Sequence, residues 1–238
     1  MAQLSLNTSV GNWVAQHPQT SRVFESLQID YCCGGGKALE QACWERQLDP
    51  QQVIAELERA IHAGDEKPTE DWINARLTEL CDHIEQTHHT YLRSELPRLT
   101  ELISKVVAAH GEAHPELSTL KQVFAELRAE LEPHMLKEEQ VLFPAIRQLE
   151  QADAPPAFPF GTLANPIRMM EHEHDKAGAG LSQIRDITGG FEVPADACNT
   201  YRAMLDGLRE LEADLHRHIH KENNILFPRA IALEEAVP

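Results

Sequence analysis

The sequence predicts an all-α protein: a small N-terminal helical domain followed by an antiparallel four-helix bundle. Three observations carry this reading. Apolar residues recur at helical spacing through most of the chain, no segment shows convincing strand alternation, and the second half contains an internal duplication. At 238 residues there is room for one good-sized domain and a small one, with a core that needs no disulfide scaffold.

In order along the chain, residues 12–28, NWVAQHPQTSRVFESLQ, set Val14, Val23, Phe24 and Leu27 around a proline, which predicts two short helices. The triplet Gly34–Gly36 then breaks the chain. KALEQACWERQ and DPQQVIAELERAIHA return to helical spacing, the second with Asp49 at the cap and Pro50 in the first turn. GDEKP, residues 64–68, reads as a linker. Residues 1–63 are therefore the small domain, too short to be very stable alone, and 69–233 the bundle. Its four long segments are predicted at 69–110, 116–150, 163–188 and 195–233. Between the second and third, QADAPPAFPFGTLANP has too many prolines for continuous helix.

Composition excludes several classes. With 38 acidic and 21 basic side chains the formal charge is −17, and no basic stripe offers counterion release to nucleic acid; the charge serves solubility. No apolar run approaches the roughly 18 residues of a membrane span, and the first residues lack a leader pattern, so no membrane partner and a cytoplasmic location are expected. The cysteines, Cys32, Cys33, Cys43, Cys81 and Cys198, are odd in number and scattered, as expected of free thiols. Neighbouring Cα atoms stand about 3.8 Å apart and an ordinary disulfide needs about 4.4 to 6.8 Å, so Cys32 and Cys33 should not bond each other. Cys43, Cys81 and Cys198 read as small helical core residues.

The duplication concerns HMLKEEQVLFP, residues 134–144, and HIHKENNILFP, residues 218–228. Both fit H-x-x-x-E-x-x-x-L-F-P at an offset of 84. Residues i and i+4 turn through about 400° on a helix, so His134 and Glu138 share a face, as do His218 and Glu222. One histidine from each of the other two helices would complete four imidazoles and two carboxylates. That set suits two metal ions, with each glutamate able to bridge both, and it favours iron or manganese. A single H-x-x-x-E is usually a solvated ion pair; two copies with the same flanks and an upstream histidine each point to metal. Leu, Phe and Pro of the motif read as packing and helix termination, keeping water off the metals.

Spacing leaves His88 against His89, and His172 against His174, open. His216 and His220 fall on the far side of their helix and read as surface residues. Glu173, which adjoins a proposed ligand, and His110 are weaker candidates; Glu173 would gate metal release or shuttle a proton.

The paired H-x-x-x-E segments ending in L-F-P resemble the hemerythrin-like di-iron bundle. DYCCGGG, residues 30–36, resembles the short N-terminal domain of the iron-sulfur cluster repair di-iron family. The match runs from about residue 5 to 232, with both signatures in the expected order. By that resemblance the first ligand is the histidine eight residues before the proline of ELP, His89, and the third is that of EHDKAG, His174; His134, Glu138, His218 and Glu222 complete the set. Oxygen-carrying hemerythrins use five histidines, and the four found here argue against oxygen transport. The resemblance implies a non-haem centre of two iron ions, oxo- or hydroxo-bridged when oxidised, a homodimer, and a stress-response role in restoring iron-sulfur proteins damaged by nitric oxide or oxygen species. Iron donation is the leading expectation, with nitric oxide reduction and gas or redox sensing as alternatives. Cys32 and Cys33, just ahead of GGGKALEQAC, are expected at a helix N-terminus, where the dipole would lower thiol pKa and let them receive iron.

Overall fold

Local chemistry sets the helix boundaries. The computed structural model describes residues 4–63, 71–152, 154 and 156–236, which contain helices, turns and two isolated bridges but no strand. Ser9 Oγ accepts the N–H of Asn12 at 3.3 Å and opens α1 (Val10–Gln16). A single 3-10 turn then leads into α2 (Ser21–Ser26). After the glycine loop comes α3 (Leu39–Glu45), and α4 (Pro50–Ala63) starts where Asp49 Oδ1 accepts the Gln51 N–H at 2.9 Å. Val10, Trp13, Phe24, Tyr31, Leu39 and Leu57 share one buried cluster. Side chains of this size contribute about 1.5–3 kcal/mol each when fully buried.

The linker expected at 64–68 lies outside the described residues. Beyond it the first long helix starts later than the periodicity suggests. Asp71 accepts from the Asn74 backbone and side chain at 3.2 and 2.7 Å, closing a turn that competes with helix. Thus α5 begins only at Leu77 (Leu77–Ile84), where the Glu150 carboxylate accepts the N–H groups of Leu77 and Thr78 at 2.6 and 3.0 Å.

Three of the four long segments contain a π turn of five residues. Glu85–His89 joins α5 to α6 (Thr90–His110), and Glu138–Leu142 joins α7 (Glu116–Lys137) to α8 (Phe143–Gln151). Glu222–Leu226 joins α10 (Asn199–Lys221) to α11 (Phe227–Ala236), whereas α9 (Ala164–Ile187) is unbroken. Pro144 and Pro228 therefore do not end their helices as expected. Each follows a π turn and sits in the first turn of the next α-helix, where its missing N–H is tolerated.

The chain makes two compact units. One takes the chain up to Cys81, residues 149–156, and the chain from His216; the other takes 82–148 and 157–215. In the first, α1 packs against the π turn Glu222–Leu226, and Arg229 donates to the carbonyls of Trp72 and Ala75 at 2.8 and 2.5 Å. In the second, α7 packs on α6 and α9, while α10 comes so close to α6 that a Cβ on Gly207 would stand 2.8 Å from Leu99 Cδ2. No helix among the described residues is long and apolar enough to cross a membrane.

Candidate metal centre

Six buried side chains converge. His134 and Glu138 lie one turn apart where α7 gives way to its π turn, with Nε2 3.4 Å from Oε2. His89, closing the first π turn, brings its Nε2 to 3.3 Å from the same oxygen. From the middle of α9, His174 sets its Nε2 3.1 Å from that of His134. The second copy repeats the pattern, with His218 Nε2 3.0 Å from Glu222 Oε1. Donor atoms of His89, Glu138, His218 and Glu222 all fall within 4.8 Å of one another, as do those of His134, Glu138, His174 and Glu222. Both glutamates belong to both groups.

The chemistry of the donors fits metal. Glu138 is fully buried, and neither carboxylate oxygen accepts a hydrogen bond among the described residues. A buried charge in that condition is strongly unfavourable unless a cation meets it. The imidazoles are also set for the purpose. His89 Nδ1 lies 2.7 Å from Glu139 Oε1, and Glu139 is gripped by Arg93 at 2.6 and 2.5 Å. His134 Nδ1 lies 2.9 Å from Glu173 Oε2, and Glu173 pairs with Lys137. A carboxylate at Nδ1 keeps the proton there and turns the Nε2 lone pair toward the cluster, as outer partners of metal-bound histidines do. Burial pushes the carboxyls of Glu139 and Glu173 up, but their hydrogen bonds to these histidines and cations together outweigh it and hold both below the usual range. On the apolar side the Phe143 ring stacks on His89 with centroids 5.8 Å apart, and Leu142, Leu226 and Phe227 are buried.

The histidines left open by spacing now separate. His89 joins the cluster, whereas His88 is equally buried but bonds Asp214 at 3.0 and 3.1 Å. His174 is buried and His172 exposed. Glu173 faces His134 and Lys137, and that is its position relative to the cluster. His220 overturns the surface expectation: it is 4% exposed, packed edge-on against Tyr31 with its Nδ1 3.3 Å from the Tyr31 carbonyl. Burial pulls its pKa down to about 4. Sequence periodicity located the helix face but could not show that the N-terminal loop covers it.

Two expectations about thiols also change. Cys32 and Cys33 stand in the loop ahead of α3, whose first residue is Leu39, and so are not at its N-terminus. The Cys32 thiol is raised rather than lowered in pKa, by its contact with Cys33, then by burial and by Asp30. Cys43 and Cys81 are buried as expected, but Cys198 is exposed. It directly precedes α10, and His110, the weaker sequence candidate, sets its Nε2 3.3 Å from Cys198 Sγ. The Tyr201 backbone N–H and then His110 draw the Cys198 thiol down to about 7. Neither residue belongs to the six-residue cluster.

Comparison with known proteins agrees with this geometry. Residues 82–230 match the family model described as the hemerythrin HHE cation binding domain, and residues 6–61 match one described as a domain of unknown function, DUF542. Over 225 residues the chain is 39% identical to the iron-sulfur cluster repair protein YtfE of Enterobacter sp. strain 638, covering 94% of this chain and 97% of that protein. Against the protein of the same name from Escherichia coli O17:K52:H18, strain UMN026, identity is 38% with the same coverage.

Proposed function

The chain belongs to the hemerythrin HHE cation-binding family and, over almost its whole length, to the family of the YtfE iron-sulfur cluster repair proteins, and on that premise we propose how its centre works. It is a di-iron protein of iron-sulfur cluster repair. In our reading His89 and His218 would hold one ion and His134 and His174 the other, with Glu138 and Glu222 serving both. The observation that carries this is the membership of both glutamates in both four-donor groups. When bound, two irons supply a labile metal store with redox capacity.

The chain's own groups set how that store is held. Glu139 and Glu173 orient the imidazoles of His89 and His134, and Phe143 keeps water from the His89 ring. With only two imidazoles and two shared carboxylates for each ion, these residues would hold iron in a way suited to giving it up. Damaged iron-sulfur proteins are the recipients, nitric oxide or an oxygen species the stress, a homodimer the working unit and the cytoplasm its place. Residues 1–63 and 69–233 are the two functional parts.

Iron per chain is to be counted in anaerobically purified protein before and after an apo iron-sulfur acceptor is added. Expected is near two irons falling toward one as the acceptor gains iron. Two irons retained, with nitrous oxide formed from added nitric oxide, would replace donation by catalysis. Sedimentation of the same sample reads the dimer.

A further inference from the structure

The loop between α2 and α3 has a donor set of its own. Asp30 Oδ1 accepts the N–H groups of Cys32 and Cys33 at 2.9 and 3.0 Å, and Oδ2 accepts that of Gly34 at 2.8 Å, so the carboxylate is fixed over the turn. Cys32 Sγ lies 3.2 Å from Oδ1 and 4.0 Å from Cys33 Sγ, and the three residues offer donor atoms within 4.8 Å of one another. Two thiolates about 2.3 Å from one tetrahedral ion stand about 3.8 Å apart. The observed sulfur spacing therefore already suits a single ion. Cys32 is buried and Cys33 partly exposed, which leaves one side open to solvent.

This loop is seated on the helix that carries Glu222. Asn224 Nδ2 donates to the carbonyls of Cys32 and Tyr31 at 2.9 and 3.3 Å, and His220 meets the same Tyr31 carbonyl. The contacts also explain the glycines. A Cβ on Gly35, or on Gly11 beside it, would come within 2.2 Å of Asn224 Oδ1. Gly35 of the triplet, with Gly11, thus lets the thiol loop lie flat against residue 224.

We propose that Asp30, Cys32 and Cys33 form a second metal site, which takes one ferrous or other borderline divalent ion through two thiolates and a carboxylate oxygen. Loading replaces two thiol protons by the ion and releases them to solvent, and no electron moves. The open side at Cys33 lets an acceptor's thiolate complete the coordination and draw the ion off. Ferrous ion as the natural occupant rests on the donor reading above; the existence of the site does not.

The test adds Co2+ anaerobically to the full-length, iron-loaded protein. Expected are one further equivalent bound, thiolate-to-cobalt charge-transfer absorption, and two protons released per ion. At a tenfold excess over Kd, Cys33 alkylation by iodoacetamide should slow about tenfold. Cys32→Ser and Cys33→Ser should each remove the thiolate band while the iron count holds. Alkylation of the unmodified chain, read by mass spectrometry, decides the matter even where a variant fails to fold. No thiolate band and no protection in the iron-loaded protein would overturn the site. Iron passed to an apo acceptor by the same sample reads donation separately: iron transfer without a cobalt band refutes the thiol site alone, and a cobalt band without iron transfer refutes donation alone.

Discussion

The two copies of the duplicated motif present the same inner face and opposite outer faces. Inward, His134 and Glu138 match His218 and Glu222, all buried. Outward, Leu136 and Val141 are 47% and 46% exposed, whereas their counterparts 84 residues on, His220 and Ile225, are 4% and 5% exposed. Likewise Gln140 is exposed, and its counterpart Asn224 holds the thiol loop. On the proposed metal reading the inner faces are alike because both copies supply the same donors. The outer faces differ, and in the second copy that face seats the N-terminal segment.

The largest test of the shared inner face is loss of a carboxylate. Because each glutamate serves both groups, Glu138→Ala and Glu222→Ala should each reduce bound iron from about two per chain to near zero by elemental analysis, an effect beyond the roughly 10–100-fold of an outer partner. Retention of one iron by either variant would show that the carboxylates are not shared. Next in size are those outer partners. Glu139→Ala and Glu173→Ala should weaken iron binding by about 10–100-fold in chelator competition, since His89 and His134 then lose their orientation.

The outer face should respond in one copy only. Asn224→Ala strands the Cys32 carbonyl, while that of Tyr31 keeps His220, and should cost about 1–3 kcal/mol in chemical denaturation, while Gln140→Ala should stay within about 0.5 kcal/mol. Equal effects would dissolve the contrast. The smallest effect separates the thiols covered by that seat from one outside it. Thiolate is the nucleophile, so alkylation of Cys198 should rise with pH to half its plateau near about 7. Cys32, held higher by Cys33, burial and Asp30, should lag throughout. His110→Ala should move the Cys198 midpoint upward, and an unchanged midpoint would remove His110 from the account.

Much of this architecture could be read from the sequence. The four long helical segments followed from period, and the convergence of His134 with Glu138 and His218 with Glu222 followed from the i, i+4 rule applied twice. What period could not supply was the extra residue in each π turn. That residue lies ahead of His89, which is why counting turns could not choose between His88 and His89. It also accommodates Pro144 and Pro228, which by ordinary rules should end a helix. The remaining surprises, buried His220 and exposed Cys198, depend on which distant segment covers a helix face or leaves its end bare. A lone helix pattern carries no trace of that.

The placement of Asn224 between Gly11 and Gly35 also limits how this sequence can drift. A Cβ on Gly11 demands that residue 224 give way, whereas a Cβ on Gly35 would also stand 2.6 Å from the Tyr31 carbonyl, a backbone clash that no change at 224 relieves. A smaller residue at 224 in turn leaves the Cys32 carbonyl without its donor. Each single step away from the present trio therefore costs stability, and Gly35 is held in place by backbone alone while Gly11 and Asn224 constrain each other.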